Sequence, residues 1–194
     1  MDQRSVVCVI GAGALGSHLV QFCRNEKVDI KVIDFDCVEQ KNVMSQFHGK
    51  PSVGKKKVDA LKQLMDFLFK RNLQVVGQKL VENNINVLMK GATLVVDCLD
   101  NAASRKLVQD YVRKHNLPCL HGALAPGGAF GRVIWDEVFA IDSEIGAGVA
   151  TCEDGEFLPF IALTAAYMAH AVQIFLRDQK KVGFSISPVG AVAV

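Results

Sequence analysis

The segment from Ile33 to Gln46, IDFDCVEQKNVMSQ, sets two acids two residues apart, then an asparagine and a glutamine four apart. Asp34 closes an apolar run, where a carboxylate accepts hydrogen bonds from ribose hydroxyls. Asp36 suits two roles equally, a second polar anchor or a cap on the following turn. Asn42 and Gln46 are spaced so that, on one helical turn, both amides face phosphates. The plainer alternative is the polar face of an exposed turn. Upstream, Gly11-Ala12-Gly13-Ala14-Leu15-Gly16 has the spacing of a tight turn that brings backbone close to a phosphate and packs a helix closely on a strand. The glycines and Asp34 fit any dinucleotide. The extra acid and the two amides fit better a site that holds a ribose and a reacting triphosphate.

Further candidates lie downstream. Gly49 to Lys56, GKPSVGKK, almost spells a P-loop, but Lys56 stands where Ser or Thr binds magnesium and no buried strand precedes it. The Lys55-Lys56-Lys57 run opens a helix, where positive charge opposes the macrodipole. A phosphate would offset that, and a solvated basic patch is the alternative. Asp97 and Asp100 follow a strand expected beside the first, where the crevice of a doubly wound sheet opens. A carboxylate there holds magnesium through one or two oxygens while phosphates complete the shell. Asn101 reads as a helix N-cap. Arg105, one turn on, is placed to pair with Asp97 or Asp100 or to reach a substrate carboxylate. Cys152 lies in a loop with Glu153, Asp154 and Glu156, a candidate nucleophile whose acidic neighbours disfavour its thiolate.

These residues need elements to position them. Val6 to Ile10 is a continuous apolar run, a strand buried on both faces of a parallel sheet. A helix from Leu15 to Asn25 and a strand from Ile30 to Ile33 complete a βαβ unit around the glycines. Helical spacing recurs over Lys55–Lys70, and Leu73–Val76 is a short strand. A brief helix holds Val87 to Met89. Ala92–Leu99 contains another buried strand, a helix covers Ala102–His115, and Cys119–His121 is a strand. After a glycine-rich turn at Ala125–Gly131, Arg132–Trp135 and Phe139–Ile141 read as antiparallel strands. An apolar helix and a last strand near Phe184–Ser187 follow. The expectation is an α/β, Rossmann-like doubly wound fold, mainly parallel with mixed, antiparallel strands at its C-terminal end. Residues 1–194 form a single nucleotide-binding domain, without repeats or linkers.

Bulk properties narrow the classes. A formal net charge of +2 argues against a nucleic-acid surface. The six cysteines show no C-x-x-C pair and sit mostly in apolar patterns, which points to a reducing cytoplasm. No signal peptide is expected, because Met1 runs straight into a strand. Phe157 to Leu176 lacks Asp, Glu, Lys and Arg and meets the length of a membrane span. Its Pro159, Thr164, Tyr167, His170 and Gln173 favour a buried core or interface helix, not a membrane.

Together these motifs resemble the ThiF/MoeB/HesA family, bacterial relatives of ubiquitin-activating enzymes. The resemblance runs from Val6 to Leu176. It rests on Gly11-x-Gly13-x-x-Gly16, Asp34-Phe35-Asp36-x-Val38-Glu39, Asn42-x-x-x-Gln46, Val53-Gly54-x-x-Lys57, and Asp97-Cys98-x-Asp100-Asn101 with Arg105. Gly122-Ala123 and the segment from Thr151-Cys152 into the apolar helix also match. It implies a protein that uses ATP and magnesium to adenylate the C-terminal glycine of a small ubiquitin-like or sulfur-carrier protein, releasing pyrophosphate, as a homodimer or heterodimer. By the same resemblance Asp34 holds the ribose, Asn42 and Gln46 line the phosphate pocket, Lys57 neutralises charge on the triphosphate, and Asp100 binds magnesium. Cys152 matches a cysteine that in some members forms a thioester or acyl disulfide.

Three departures stand out. Ser45 replaces an arginine of N-x-x-R-Q, the N-terminal arm that supplies a second arginine across the dimer is not expected, and the two C-x-x-C pairs of zinc-binding members are missing. Lys41, Lys55 and Lys56, or a partner subunit, are the candidates to replace the lost charge. Two other readings accompany adenylation: a non-catalytic nucleotide-binding partner subunit of the same fold, and an NAD-dependent oxidoreductase. The oxidoreductase leaves Lys57 and Asp100 without a role.

Overall fold

The computed structural model describes residues 4–141 and 155–194. Val6–Ile10 is β1, Ala14–Phe22 α1 and Asp29–Ile33 β2. Lys57–Phe69 is α2, Gln74–Val76 β3, Ile85–Leu88 α3, Leu94–Asp97 β4 and Ala102–Lys114 α4. Cys119–Leu124 is β5, Gly131–Trp135 β6, Leu158–Asp178 α5, Phe184–Ser187 β7 and Gly190–Ala193 β8. One sheet contains all the strands in the order β3-β2-β1-β4-β5-β6-β7-β8. It is parallel from β3 to β5 and antiparallel from β5 to β8.

The continuous apolar runs of β1 and β4 feed both faces of this sheet, as strand alternation requires. Val7, Val9, Leu94 and Val96 point into a core shared with Leu15, Leu19, Leu61, Met65, Ile161 and Met168 of α1, α2 and α5. Cys8, Ile10 and Val95 point to the other face, against α3 and α4 through Ile85, Leu88, Val108 and Val112. The α/β, doubly wound expectation therefore holds, with its antiparallel strands at the C-terminal end. Chain order reverses at β1, between β2 and β4, so the crevice opens beyond the ends of β1 and β4.

Helix α5 is the one helix among the described residues long and apolar enough to cross a membrane. It packs instead on α1, β5 and β6. The approach is so close that a Cβ on Gly122 would lie 2.4 Å from Met168, and one on Gly131 2.6 Å from Thr164 Oγ1.

Three local readings differ from the sequence expectation. Phe139–Ile141 forms no strand: Asp136–Val138 makes a 3-10 turn because Arg113 and Gln109 of α4 capture the Asp136 carboxylate. Beyond β7 lies β8, whose Gly190-Ala-Val-Ala sequence has too little side chain to alternate legibly. The strand from Cys119 also runs on to Leu124.

The β1–α1 turn leaves no room for substitution at one glycine. A Cβ on Gly16 would sit 1.9 Å from the Gly11 carbonyl oxygen, a backbone atom that cannot swing away. At Gly13 an added Cβ meets nothing within 4 Å. Gly16→Ala should therefore destabilise by about 3 kcal/mol or more, whereas Gly13→Ala should stay within about 1 kcal/mol of wild type. Urea unfolding of both variants measures this, and equal stabilities would contradict the packing argument.

Candidate functional site

The glycine turn is fixed from both sides by its middle residue. Gly11, in the left-handed region at φ +95, sends its N–H to the Ile33 carbonyl at 2.9 Å. Ala12 N–H donates to Asp34 Oδ2 at 2.7 Å. Its carbonyl accepts from His48 Nε2 at 2.9 Å. Beyond Gly13, at the N-cap of α1, an added Cβ would meet nothing within 4 Å, which leaves the N-terminus of this helix sterically open. Asp34 also accepts from the Asp36 N–H through Oδ1 at 2.7 Å. Burial raises the Asp34 carboxyl above the usual range, while these two N–H bonds and the Lys57 charge oppose that shift.

One cleft gathers much of the expected set: Gly11, Gly13, Asp34, Asp36, Lys57 and Asp100 all line it. Lys57 is buried at the first turn of α2, with its ammonium 3.2 Å from Asp36 Oδ2. Asp36 lines the cleft with its side chain half exposed and holds the cation that opens α2. Opposite lie Asp100, exposed, and Asn101. Asn101 is the N-cap expected of it: its Oδ1 accepts from the Ser104 N–H at 2.8 Å. The remaining wall includes Phe35, Gln78, Lys79 and Leu80, with the Lys79 ammonium 5.5 Å from the Phe35 ring centre. Sequence reasoning passed over these residues, because only the fold brings the chain after β3 to face the end of β2.

Asn42 and Gln46 are buried, which rules out the exposed-turn alternative. Asn42 Oδ1 accepts from the Glu39 N–H at 3.0 Å. The segment that follows lies on α1: Phe47 N–H donates to Ser17 Oγ at 2.9 Å and His18 Nε2 to the Ser45 carbonyl at 3.2 Å. Gln46 Oε1 and His48 Nδ1 are buried without a protein partner, a condition that a water or ligand donor would relieve. Ser45 is 0% exposed, so the position that carries arginine in the resembling family is closed to solvent here. Lys55 bonds Gln63, Lys56 bonds the Phe35 carbonyl, and Lys41 lies 3.6 Å from Glu39.

Two expected contacts must be corrected. Asp97, expected to touch the nucleotide, is 0% exposed and spends both oxygens inside the protein. Oδ1 accepts from the Leu99 N–H at 2.9 Å; Oδ2 accepts from Arg105 Nη1 at 3.2 Å and His121 Nδ1 at 2.7 Å. Arg105, expected near the reacting groups, is buried beneath the loop, where Nη2 donates to the carbonyls of Leu99 and Gly122. Its pairing with Asp97 was among the alternatives, whereas its reach to a substrate carboxylate is closed by these bonds. The network continues from His121 Nε2 to Asp136 Oδ1 at 3.1 Å. Burial alone would raise the Asp136 carboxyl; hydrogen bonds from Arg113, Gln109 and His121 outweigh it and hold the carboxyl below the usual range.

Cys152 lies outside the described residues. Of the others, Cys8, Cys23 and Cys119 are buried, Cys98 is partly exposed in the cleft wall, and Cys37 is exposed rather than set in an apolar element. Burial pushes the Cys8 and Cys23 thiols up to about 12, which makes them inert packing groups. No cluster of three or more His, Cys, Asp or Glu able to hold a metal exists among the described residues. A magnesium ion at Asp100 would therefore take most of its shell from phosphates and water, as that hard cation commonly does.

The sequence pattern of the ThiF family matches residues 3–181. The chain belongs to the ThiF family. Among curated relatives, the SAMP-activating enzyme E1 of Haloferax volcanii is 31% identical over 123 residues, covering 62% of this chain and 46% of that protein. The sulfur carrier protein ThiS adenylyltransferase of Bacillus subtilis is 30% identical over 128 residues, covering 63% of this chain and 38% of that protein. The matches thus span about half or less of these relatives' length. E. coli MccB, crystallised with ATP, superposes with a TM-score of 0.77 at 15% identity, covering 98% of this chain and 62% of that one. That likeness supports the fold.

His48 links the site to stability. Burial, reinforced by Lys57, lowers its pKa from 6.5 to about 4, against the opposing bond to Ala12. The unfolded chain takes up a proton below pH 6.5 that folded His48 refuses until about pH 4. Its stability contribution is complete at neutral pH and is lost as pH falls through that window, up to about 3 kcal/mol. Denaturant midpoints between pH 4 and 7 should fall with acid, and His48→Gln should flatten the slope. An unchanged slope in His48→Gln would contradict this.

Proposed function

We propose that this chain is a single ThiF-type domain that binds ATP and magnesium and adenylates a carboxylate, the C-terminal glycine of a small ubiquitin-like or sulfur-carrier protein. The observation that carries the reading is the composition of one cleft. A glycine turn with space for phosphate, a ribose-accepting Asp34, a buried Lys57 and an exposed Asp100 face the same volume. Adenylyltransferase names among the relatives support the same reaction class.

The chemistry asks little of acid–base groups. A carboxylate oxygen of the acceptor attacks the α-phosphorus, the bond to the bridging oxygen of pyrophosphate breaks, and pyrophosphate leaves with the electron pair. The product is an acyl-adenylate. No proton moves, so catalysis consists of alignment and charge stabilisation. The N-terminus of α1 and the Gly11–Gly16 turn seat phosphates, Asp34 accepts from the ribose, and Lys57 balances charge on the triphosphate once phosphates compete with Asp36. On this reading Asn42 and Gln46, both buried, line the phosphate pocket. Magnesium, held by Asp100, neutralises phosphate oxygens when bound. We place the protein in the cytoplasm as a homodimer or heterodimer, with no nucleic-acid or membrane partner.

A second reading has a specific observation behind it. Ser45 is sealed in the interior and Lys57 is paired with Asp36, which leaves Lys79 over the Phe35 ring as the cleft cation without a carboxylate partner named above for a transferring phosphoryl group. A non-catalytic subunit, or one completed by a partner's cation, is consistent with that. Fixed cations of this kind are worth about 10³-fold or more in phosphoryl transfer.

ATP–pyrophosphate exchange with candidate acceptors ending in Gly-Gly separates the readings. Adenylation predicts exchange by the chain alone, reduced about 100-fold or more by Asp100→Ala and by Lys57→Ala. Exchange that appears only with a second subunit favours the split site. Exchange unaffected by either substitution would sink the assignment of these residues.

A further inference from the structure

Beneath the Asp100 wall of the cleft lies a buried histidine that does not itself line the cleft. His121, on β5, is 1% exposed. Its Nδ1 is 2.7 Å from Asp97 Oδ2 and its Nε2 3.1 Å from Asp136 Oδ1. Each nitrogen faces a carboxylate oxygen, so whichever carries the proton finds an acceptor, and Nδ1 has the nearer one. Asp97 Oδ2 is the same atom that Arg105 Nη1 reaches at 3.2 Å. The shorter contact is the histidine's.

That shared oxygen matters because of what Asp97 and Arg105 do together. Asp97 Oδ1 accepts the Leu99 N–H at 2.9 Å, while Arg105 Nη2 donates to the Leu99 carbonyl. The Leu99 residue is gripped at both of its peptide groups. Its neighbour Asp100 is the residue whose carboxylate faces the cleft. A second shared support lies on the far side: the Phe139 ring stacks on His121 at 4.0 Å and 8°, and the Arg105 guanidinium lies 5.6 Å from the same ring centre. Asp136 anchors the outer ring nitrogen and is itself held by Arg113 and Gln109 of α4.

We infer that His121 is a positioning residue for the nucleotide cleft: its Nδ1–H orients Asp97, Asp97 and Arg105 clamp Leu99, and the clamp sets the direction of Asp100. The inference deepens the adenylation reading and rests on Asp100's part in it. A histidine kept only for core packing would need neither the shared oxygen nor the donor at Nδ1.

The two ring nitrogens are separable by substitution. An asparagine amide overlays the Nδ1 position and a glutamine amide the Nε2 position, so His121→Asn keeps the donor to Asp97 and His121→Gln keeps the one to Asp136. In the full chain, amide hydrogen exchange at Leu99 and the kinetics of ATP–pyrophosphate exchange are measured for both. His121→Gln should speed Leu99 exchange and lower kcat by about tenfold or more, with KM for ATP within about threefold of wild type. His121→Asn should stay near wild type in all three. Phe139→Leu, at a partly exposed position that tolerates change, should speed Leu99 exchange several-fold by removing the shared ring. Leu99 exchange that is the same in His121→Asn and His121→Gln, or unchanged in Phe139→Leu, would overturn the proposal. Absence of pyrophosphate exchange in the wild-type chain would count against adenylation instead, and the Leu99 amide would still decide the role of His121.

Discussion

The close contact between Gly16 and the Gly11 carbonyl is the constraint on which the site depends. Because α1 starts so near the end of β1, the turn between them has no slack, and its single central peptide becomes the reference point for the cleft. Ala12 N–H fixes Asp34 on one side and the Ala12 carbonyl fixes His48 on the other. Through these two bonds the end of β2 and the segment after Asn42 are tied to the turn whose next residue, Gly13, faces open space at the N-terminus of α1. A neutral imidazole at position 48 is part of this arrangement, since a charged one would be unpaired in the interior beside Lys57.

The opposite wall is built on a different principle. There the loop after β4 is held by buried polar and charged groups: the carboxylate of Asp97 and the guanidinium of Arg105, joined by the imidazole of His121 and extended outward through Asp136 and Arg113. Buried ionic groups add little net stability over apolar packing. They do impose direction, because each donor accepts only a narrow range of partner positions. One wall is therefore set by sterics and backbone, the other by a charge network. Lys57 and Asp100, the residues with reactive prospects, sit at the open edges of the two.

Much of this was legible from local sequence. The βαβ unit, the glycine turn, Asp34 at a strand end and Asn101 as an N-cap depend on neighbours within a few residues, where pattern and propensity are informative. The misreadings share a cause. Asp97 looked like a cleft ligand because its partners, Arg105 and His121, come from α4 and β5, and their pairing depends on strand order. Phe139 read as a strand residue because its role as a stacking surface depends on His121. His48 drew no reading, and the exposed-turn alternative for Gln46 stayed open, because nothing nearby in sequence says that α1 covers them. Strand β8, with its small side chains, gave no periodic signal at all.

If this crevice is a triphosphate site and not a redox dinucleotide site, it prefers ATP with magnesium to NAD. Calorimetric titration of the intact chain with ATP and magnesium, set beside a titration with NAD, tests it most directly. The account predicts that ATP binds at least about tenfold more tightly than NAD. Tight NAD binding together with no detectable ATP binding would contradict it.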